Sequence, residues 1–197
     1  MHDERLAEFS RERLDGHPVP ADLRVLLVAQ WEGRDDLARL LDLEFLEPGE
    51  PHPLLDTGYL SAAELADPEM QCVNAAAALM AEHVKLVARG GKGWLGYWLH
   101  PGEPADRGWR PLELDTEHSF WQLRGRTLAE GAAAERAYLE EPDERAAFAR
   151  LAAELAALGL PLGTRELDAL DDTAYRVDPE ELMEELIEAE RERRGLG

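Results

Sequence analysis

The sequence predicts an α+β fold: a mostly antiparallel sheet of four or more strands, at about residues 83–123, packed with N-terminal and C-terminal helices. Two observations predict it. The β-favouring runs are grouped in the middle of the chain, with short polar turns between them. Apolar residues recur at helical spacing on both sides of that block. A parallel sheet would instead require strands that alternate with helices, and this chain lacks that alternation.

The N-terminal part predicts helices separated by proline, glycine and acidic residues. In the second helix, Leu23, Leu26 and Leu27 lie on one face. Ser61 and Glu64 have the spacing of a capping box, in which each side chain accepts a hydrogen bond from the other residue's backbone N–H. The predicted segments are helices over residues 4–14 and 21–31, a short helix capped by Asp35, a loop over 44–58, and a helix from Asp67 to residue 81 that buries Cys72.

The middle of the chain predicts four strands. Two β-favouring runs, residues 83–88 and 94–99, are separated by Arg89-Gly90-Gly91-Lys92-Gly93, which predicts a hairpin with a glycine-rich turn. The spacing of these glycines matches no phosphate-binding loop. Residues 110–114 and 119–123 predict two further strands after a polar loop.

The C-terminal part predicts three helices, over residues 127–139, from Pro142 to Leu158, and over 178–194. We expect residues 1–140 to form one α+β domain. Residues 141–197 are then a C-terminal helical extension, packed on that domain or extending it.

The charge of the chain restricts its partners. Its 197 residues carry 42 acidic and 21 basic side chains, a formal net charge of −21. Phosphates would be repelled, which argues against nucleic acid and anionic membrane surfaces as partners. Residues 32–69 are the most acidic stretch, with eleven acids and two arginines, and predict either a solvated face or a docking surface for a basic protein. We find no signal peptide and no membrane-spanning stretch, so a cytoplasmic location is expected.

Few residues suggest catalysis. None of the six histidines forms a metal-binding pair at helical spacing, and a single cysteine excludes an intramolecular disulfide and a cysteine-based zinc cluster. No cofactor or metal is expected, and we expect no enzymatic activity. The alternative is an uncharacterised hydrolase that would use His100, Asp106 and Asp115.

Aromatic residues mark the candidate site. Four of the five tryptophans fall within the 28 residues 94–121. On the strand over 94–99, Trp94 and Trp98 share one face and Tyr97 lies on the other; we expect one face to pack on helices and the other to remain partly open. Tryptophan beside carboxylates is typical of protein-binding surfaces, and core filling is the alternative. The candidate partner-binding residues are Trp94, Trp98, Asp106, Trp109, Glu113, Asp115 and Glu117, the last three of which we expect on one face.

The same block resembles a known family. Residues 86–98, Leu-Val-Ala-Arg-Gly-Gly-Lys-Gly-Trp-Leu-Gly-Tyr-Trp, resemble the strand–glycine turn–strand signature of the SUKH superfamily, which includes the fungal Smi/Knr cell-wall regulators. Residues 19–27, Val-Pro-Ala-Asp-Leu-Arg-Val-Leu-Leu, are similar to a helix that the family carries upstream. The later parts of the family pattern match residues 110–117, 120–123 and 126–130, and the whole resemblance covers residues 17–135.

The resemblance implies a non-enzymatic α+β domain that binds other proteins. Bacterial members are largely immunity proteins that neutralise toxins, often nucleases. A nuclease is basic because it binds its substrate, and an inhibitor with a net charge of −21 would be steered to it. The leading hypothesis is therefore an immunity protein for a basic toxin. The alternative among binding proteins is a regulatory or scaffold protein that forms a homodimer through helices 142–194.

Overall fold

A computed structural model describes residues 2–47, 49–104, 108–139 and 143–196. Its sheet has five strands in the order in which they occur along the chain, and every neighbouring pair is antiparallel. The fold class predicted from the sequence is confirmed. The strands are β1 (Glu44–Phe45), β2 (Val84–Arg89), β3 (Gly93–Trp98), β4 (Arg110–Asp115) and β5 (Phe120–Gln122).

Eight α-helices lie in the described residues, five before β2 and three after β5. The capping box is confirmed: Ser61 Oγ accepts from the Glu64 N–H at 3.3 Å and Glu64 Oε2 accepts from the Ser61 N–H at 2.7 Å. The helices are α1 (His2–Arg13), α2 (Ala21–Trp31), α3 (Asp36–Leu40), α4 (Ala62–Ala66), α5 (Pro68–Met80), α6 (Leu128–Tyr138), α7 (Glu144–Ala157) and α8 (Pro179–Arg194).

The side chains of β3 alternate between the two faces, as predicted, and each face carries a hydrophobic core. Leu95 and Tyr97 belong to a larger core shared with α1, α2, α3, α6 and α7. Trp98 belongs to a smaller core, which Leu182, Met183 and Leu186 of α8 partly cover. Both faces of the sheet are thus covered in the described structure, which corrects the expectation of one partly open face.

Three sequence predictions need local corrections. Strand β1 lies inside the predicted loop over 44–58, and it pairs only two residues with β2, too few to show a strand period. Asp35 precedes α3 but makes no side-chain cap hydrogen bond. Helix α7 begins at Glu144, and the cap that starts it is Asp143, whose side chain accepts from the Ala146 N–H; Pro142 lies outside the described residues.

The helices after residue 143 pack into the rest of the chain. Phe148 of α7 is fully buried in the larger core. Helix α8 packs along α5, where Arg191 forms an ion pair with Glu69 at 2.6 Å and Arg194 donates to Gln71 at 2.8 Å. Cys72, one turn further along α5, is fully buried, as predicted. Within the described residues no helix combines the length and the apolar character that crossing a membrane requires.

Candidate functional site

The candidate residues of the sequence divide between the two ends of β4. Gly93 pairs with Asp115 at one end of the β3–β4 ladder, and Trp98 pairs with Arg110 at the other. Trp109 directly precedes β4, whereas Asp115 ends it. Five residue steps along an extended strand separate the ends by about 17 Å. The structure therefore contains two candidate surfaces in place of one.

The first surface surrounds the turn between β4 and β5, and we call it the hairpin-tip surface: Tyr59, Trp94, Asp115, Glu117, His118 and Trp121. The Trp94 ring stacks on His118 with centroids 6.5 Å apart, and His118 contacts Tyr59 at 5.9 Å. Tyr59 is 65% exposed and Trp121 is 58% exposed. Exposed aromatic rings beside carboxylates are typical of protein-binding surfaces.

Asp115 holds the hairpin-tip surface in shape. Its Oδ1 accepts from the backbone N–H groups of Glu117 and Ser119, both at 2.9 Å, and its Oδ2 accepts from Trp121 Nε1 at 2.9 Å. Burial alone would raise the pKa of Asp115, but these hydrogen bonds outweigh burial and lower the pKa below its ordinary value. The ionised carboxylate therefore fixes both the turn and the exposed indole. Glu117 lies in the turn itself, so it does not share a strand face with Asp115, contrary to the prediction.

The second surface is a concave groove of about 390 Å³ at the other end of β4. Trp109 contributes one wall and contacts the Tyr97 ring edge-to-face, with centroids 5.2 Å apart. Its lining also includes Val19, Pro20, Asp22 and Thr127, with Arg126 among the polar residues. We call this surface the Trp109 groove.

Asp22 lies where two helices begin. Its Oδ2 accepts from the Ala129 N–H of α6 at 3.1 Å. Burial raises the pKa of Asp22, and the hydrogen bond from Ala129 opposes the rise. The side chain is only half-buried, so the carboxylate forms part of the groove lining while it accepts from the first turn of α6.

Tyr97 lines the same groove and carries a buried hydroxyl. The residue is 1% exposed, and its hydroxyl makes no hydrogen bond to any described residue. Burial, with a smaller contribution from the charge of Asp22, raises the Tyr97 pKa well above its ordinary value. The hydroxyl is therefore neutral, and a buried polar group without a partner is uncommon and calls for an explanation.

Two of the predicted partner-binding residues, Trp98 and Glu113, do not contribute to either surface. Trp98 is 1% exposed and donates from Nε1 to the Val177 carbonyl at 3.1 Å. Glu113 is 4% exposed, on the α6 side of the sheet, where burial and the charge of Glu135 raise its pKa. Both side chains are enclosed because helices cover both faces of the sheet, so neither can contact a partner directly. Asp106 lies outside the described residues.

The residues of the hydrolase alternative are not brought together. His100 stacks on Trp98, with centroids 5.4 Å apart, at the end of β3 that pairs with Arg110. Asp115 lies at the opposite end of the ladder. Within the described ranges, no group of three or more histidine, cysteine or acidic side chains could hold a metal ion.

The acidic segment over 32–69 is a solvated surface. Nine of its eleven acidic side chains are exposed, and the other two, Asp36 and Glu50, are half-buried. Among the described residues, three of these acids contact basic side chains elsewhere in the chain: Glu50 contacts Arg89 at 2.5 Å, Glu69 contacts Arg191, and Glu32 lies 3.4 Å from His2. The segment supplies negative charge beside the sheet edge at β1.

Among the residues of these surfaces, Tyr59, His118, Asp22 and Trp121 were not predicted as partner-binding residues. Tyr59 and His118 lie in turns, where no periodicity marks an exposed ring. Asp22 lies in the first turn of α2, where acidic residues are common, so its position does not by itself indicate a binding site. Trp121 alternates with the buried Phe120 on β5, and this alternation was a usable signal for an outward-facing ring.

Comparisons of the chain with protein-family models, with curated proteins and with solved structures gave no match.

Proposed function

We propose that the chain is a cytoplasmic, non-catalytic protein-binding module of the SUKH type that neutralises a basic protein, such as a nuclease-like toxin, in the manner of a bacterial immunity protein. The observation that carries the proposal is the hairpin-tip surface. There, exposed rings surround two carboxylates on a chain with a net charge of −21. Aromatic anchors beside acidic groups suit a partner whose own surface is basic.

The charge of the chain supports an electrostatic encounter. The exposed acids of residues 32–69 extend the negative field beyond the hairpin-tip surface. A field of this sign attracts a basic protein and repels nucleic acid and anionic lipid. An inhibitor that covers the substrate-binding surface of a nuclease would use the same charge complementarity as the substrate.

The turn geometry supports an anchor that is ready to bind. Trp121 is held by Asp115 at 2.9 Å, so its large exposed ring needs little further ordering when a partner arrives. A ring that is already fixed loses less conformational freedom on binding than a mobile one. A separate patch for self-association has less support, because the apolar stripe of α8 (Leu182, Met183 and Leu186) packs against the smaller core.

The proposal can be tested by affinity capture from the native cytosol, with elution in rising salt and identification by mass spectrometry. We expect a basic protein that elutes as the salt concentration rises. Binding of that purified protein is then measured for Trp121→Ala and Glu117→Lys. We expect each substitution to weaken binding about tenfold or more, as for an anchor residue or a reversed charge in an interface.

Glu154→Lys is the matched control, because Glu154 is an exposed acid on α7, remote from β4 and β5 in sequence, and its reversal changes the net charge equally. We expect the control to weaken binding about twofold or less. Equal losses for Glu117→Lys and Glu154→Lys would show that only the net charge matters and would remove the hairpin tip from the proposal. Capture of no protein other than the chain itself would favour the homodimer alternative, which light scattering would then measure.

A further inference from the structure

We propose that the Trp109 groove is a binding site for a guanidinium group, the arginine side chain of a protein partner. The inference rests on the proposed function in one respect, that the arginine belongs to the basic partner. The site itself follows from the groove: two oxygen acceptors, two aromatic rings and apolar walls in a space of about 390 Å³. Each of these features favours a planar cation over other ligands.

The first acceptor is the Asp22 carboxylate. It is half-buried in the groove lining, among apolar side chains such as Val19 and Pro20. A carboxylate in such surroundings gains more from a neighbouring cation than a fully solvated one, because less water competes for it. A guanidinium can donate two parallel hydrogen bonds to one carboxylate, although Asp22 already accepts from the Ala129 N–H on its Oδ2 side.

The second acceptor is the Tyr97 hydroxyl. It is buried, belongs to a residue that lines the groove, and has no partner among the described residues. A hydroxyl oxygen can accept from a third guanidinium N–H. The oxygen is enclosed in the free protein, so a guanidinium would reach it only if the groove wall shifted, and would then supply a partner that the described residues do not.

The aromatic rings favour arginine over lysine. Trp109 and Tyr97 meet edge-to-face at 5.2 Å, and both line the groove together with Asp22. A guanidinium is planar, is weakly hydrated and stacks on aromatic faces, whereas an ammonium is compact and strongly hydrated. The apolar lining thus suits the guanidinium and the methylene groups that carry it.

The charges around the groove exclude an anionic ligand. Two helices begin here, which would ordinarily favour an anion, but the Asp22 carboxylate already lies at this position and accepts from the Ala129 N–H of α6. Arg126 is the cationic side chain in the lining, and its Nε donates to Asp171 Oδ2 at 3.1 Å, so its charge is matched within the chain. The side chain that remains to be neutralised is Asp22.

The test uses a small probe on the whole chain, Nα-acetyl-arginine methylamide, with the citrulline analogue as its uncharged isostere. Binding is measured from the NMR shift of the Trp109 indole N–H, assigned with Trp109→Phe. We expect saturable binding in the millimolar range for the arginine probe and none for citrulline at equal concentration, because one side chain alone supplies few contacts. The lysine analogue should bind more weakly than arginine.

Two variants identify the acceptors. Asp22→Asn keeps an oxygen for the Ala129 N–H but removes the charge, and we expect it to weaken the arginine probe about tenfold. Tyr97→Phe removes only the unpaired hydroxyl and should weaken the probe about threefold. Asp35→Asn is the matched control, because it removes one exposed carboxylate that makes no side-chain cap hydrogen bond, and we expect no change.

Equal binding of arginine and citrulline, or unchanged binding in Asp22→Asn, would overturn the inference. Thermal unfolding of each variant shows whether a loss of probe binding reflects misfolding. If Asp22→Asn is misfolded, probe binding by Tyr97→Phe, which breaks no hydrogen bond to a described residue, tests the inference instead. The probe requires no partner, so its result is separate from the proposed function. Probe binding without capture of any basic protein would retain the guanidinium site and overturn the neutralising role.

Discussion

The two ends of β4 carry the same kinds of residue in opposite arrangements. At the hairpin tip, a carboxylate and a tryptophan stand on a convex turn, and hydrogen bonds lower the pKa of Asp115. At the Trp109 groove, a carboxylate and a tryptophan line a concavity, and burial raises the pKa of Asp22. Shape and solvation, more than residue type, therefore decide what an aromatic–acid pair can bind. A convex pair suits a broad protein surface, and a concave pair suits one side chain.

Of the substitutions at the two ends of β4, we expect Asp22→Ala at the groove end to lower the free energy of unfolding most. Asp22→Ala removes the acceptor of the Ala129 N–H in the first turn of α6 and leaves that partly buried N–H without its partner. Losing a hydrogen bond to a charged acceptor should lower the free energy of unfolding by about 2–3 kcal/mol. Urea denaturation measures the loss. Asp22→Asn should lose much less, and equal losses for alanine and asparagine would show that the Asp22 oxygen does not cap α6.

The hairpin-tip end should lose less from the corresponding change. Asp115→Ala removes three hydrogen bonds, but all three lie in a partly solvated turn, where water can replace them. We expect the free energy of unfolding to fall by about 1–2 kcal/mol in urea denaturation. Glu117→Ala in the same turn should change it by about 0.5 kcal/mol or less. A larger loss for Asp115→Ala than for Asp22→Ala would reverse the comparison.

The two carboxylates should give pH dependences of opposite sign. Asp22 binds its proton more tightly in the folded chain than in the unfolded chain. Its contribution to stability is therefore greatest at acid pH and falls as the pH rises from the ordinary value of 3.8 through the raised one. Asp115 has a lowered pKa, so its contribution is complete above 3.8 and is lost as the pH falls through the lowered value.

Urea denaturation of the wild type, Asp22→Asn and Asp115→Asn between about pH 2 and about pH 7 separates these signs. The free energy of unfolding of the wild type minus that of Asp22→Asn should decrease with rising pH. The corresponding difference for Asp115→Asn should increase. Differences that run in the same direction would show that the two environments do not differ as described.

Within the groove, we expect Tyr97→Phe to change the free energy of unfolding least. Tyr97→Phe removes a hydroxyl that has no hydrogen-bond partner among the described residues, so no bond is lost. We expect the free energy of unfolding to stay within about 0.5 kcal/mol of the wild type, or to rise. Thermal and urea unfolding measure this difference. A loss of more than about 1 kcal/mol would mean that the hydroxyl is satisfied in the free protein.

Most of the fold could be predicted from the sequence because its elements leave local patterns. The strand block is marked by alternation and by the glycine turn, in which the Gly90 N–H donates to the Gly93 carbonyl at 2.8 Å. Each helix cap, at Ser61 and at Asp178, involves residues that lie within four positions of one another in the sequence. Strand β1 could not be predicted, because its two residues pair with Arg89 and Ala88, over 40 positions away.

The candidate site was less predictable because it depends on contacts between distant parts of the chain. Trp109 and Asp115 are close in sequence, yet a single extended strand places them at opposite ends of the sheet. Trp98 is aromatic and suits a partner surface by type, but the segment at Val177 and helix α8 enclose it. The hydrogen bond from the Ala129 N–H to Asp22 joins residues 107 positions apart, so no local sequence pattern predicts it.

The labelling rate of Cys72, the single thiol of the chain, would measure how often the structure around it opens. Cys72 is fully buried in α5, and α8 lies along that helix, with Arg191 paired to Glu69 and Arg194 donating to Gln71 just before the thiol. A thiol reagent can reach it only when α8 detaches or the whole chain unfolds, so the rate of labelling reports the population of such openings. New cysteines placed at the hairpin tip or beside the groove could be labelled selectively in the folded state, while the native thiol stays silent.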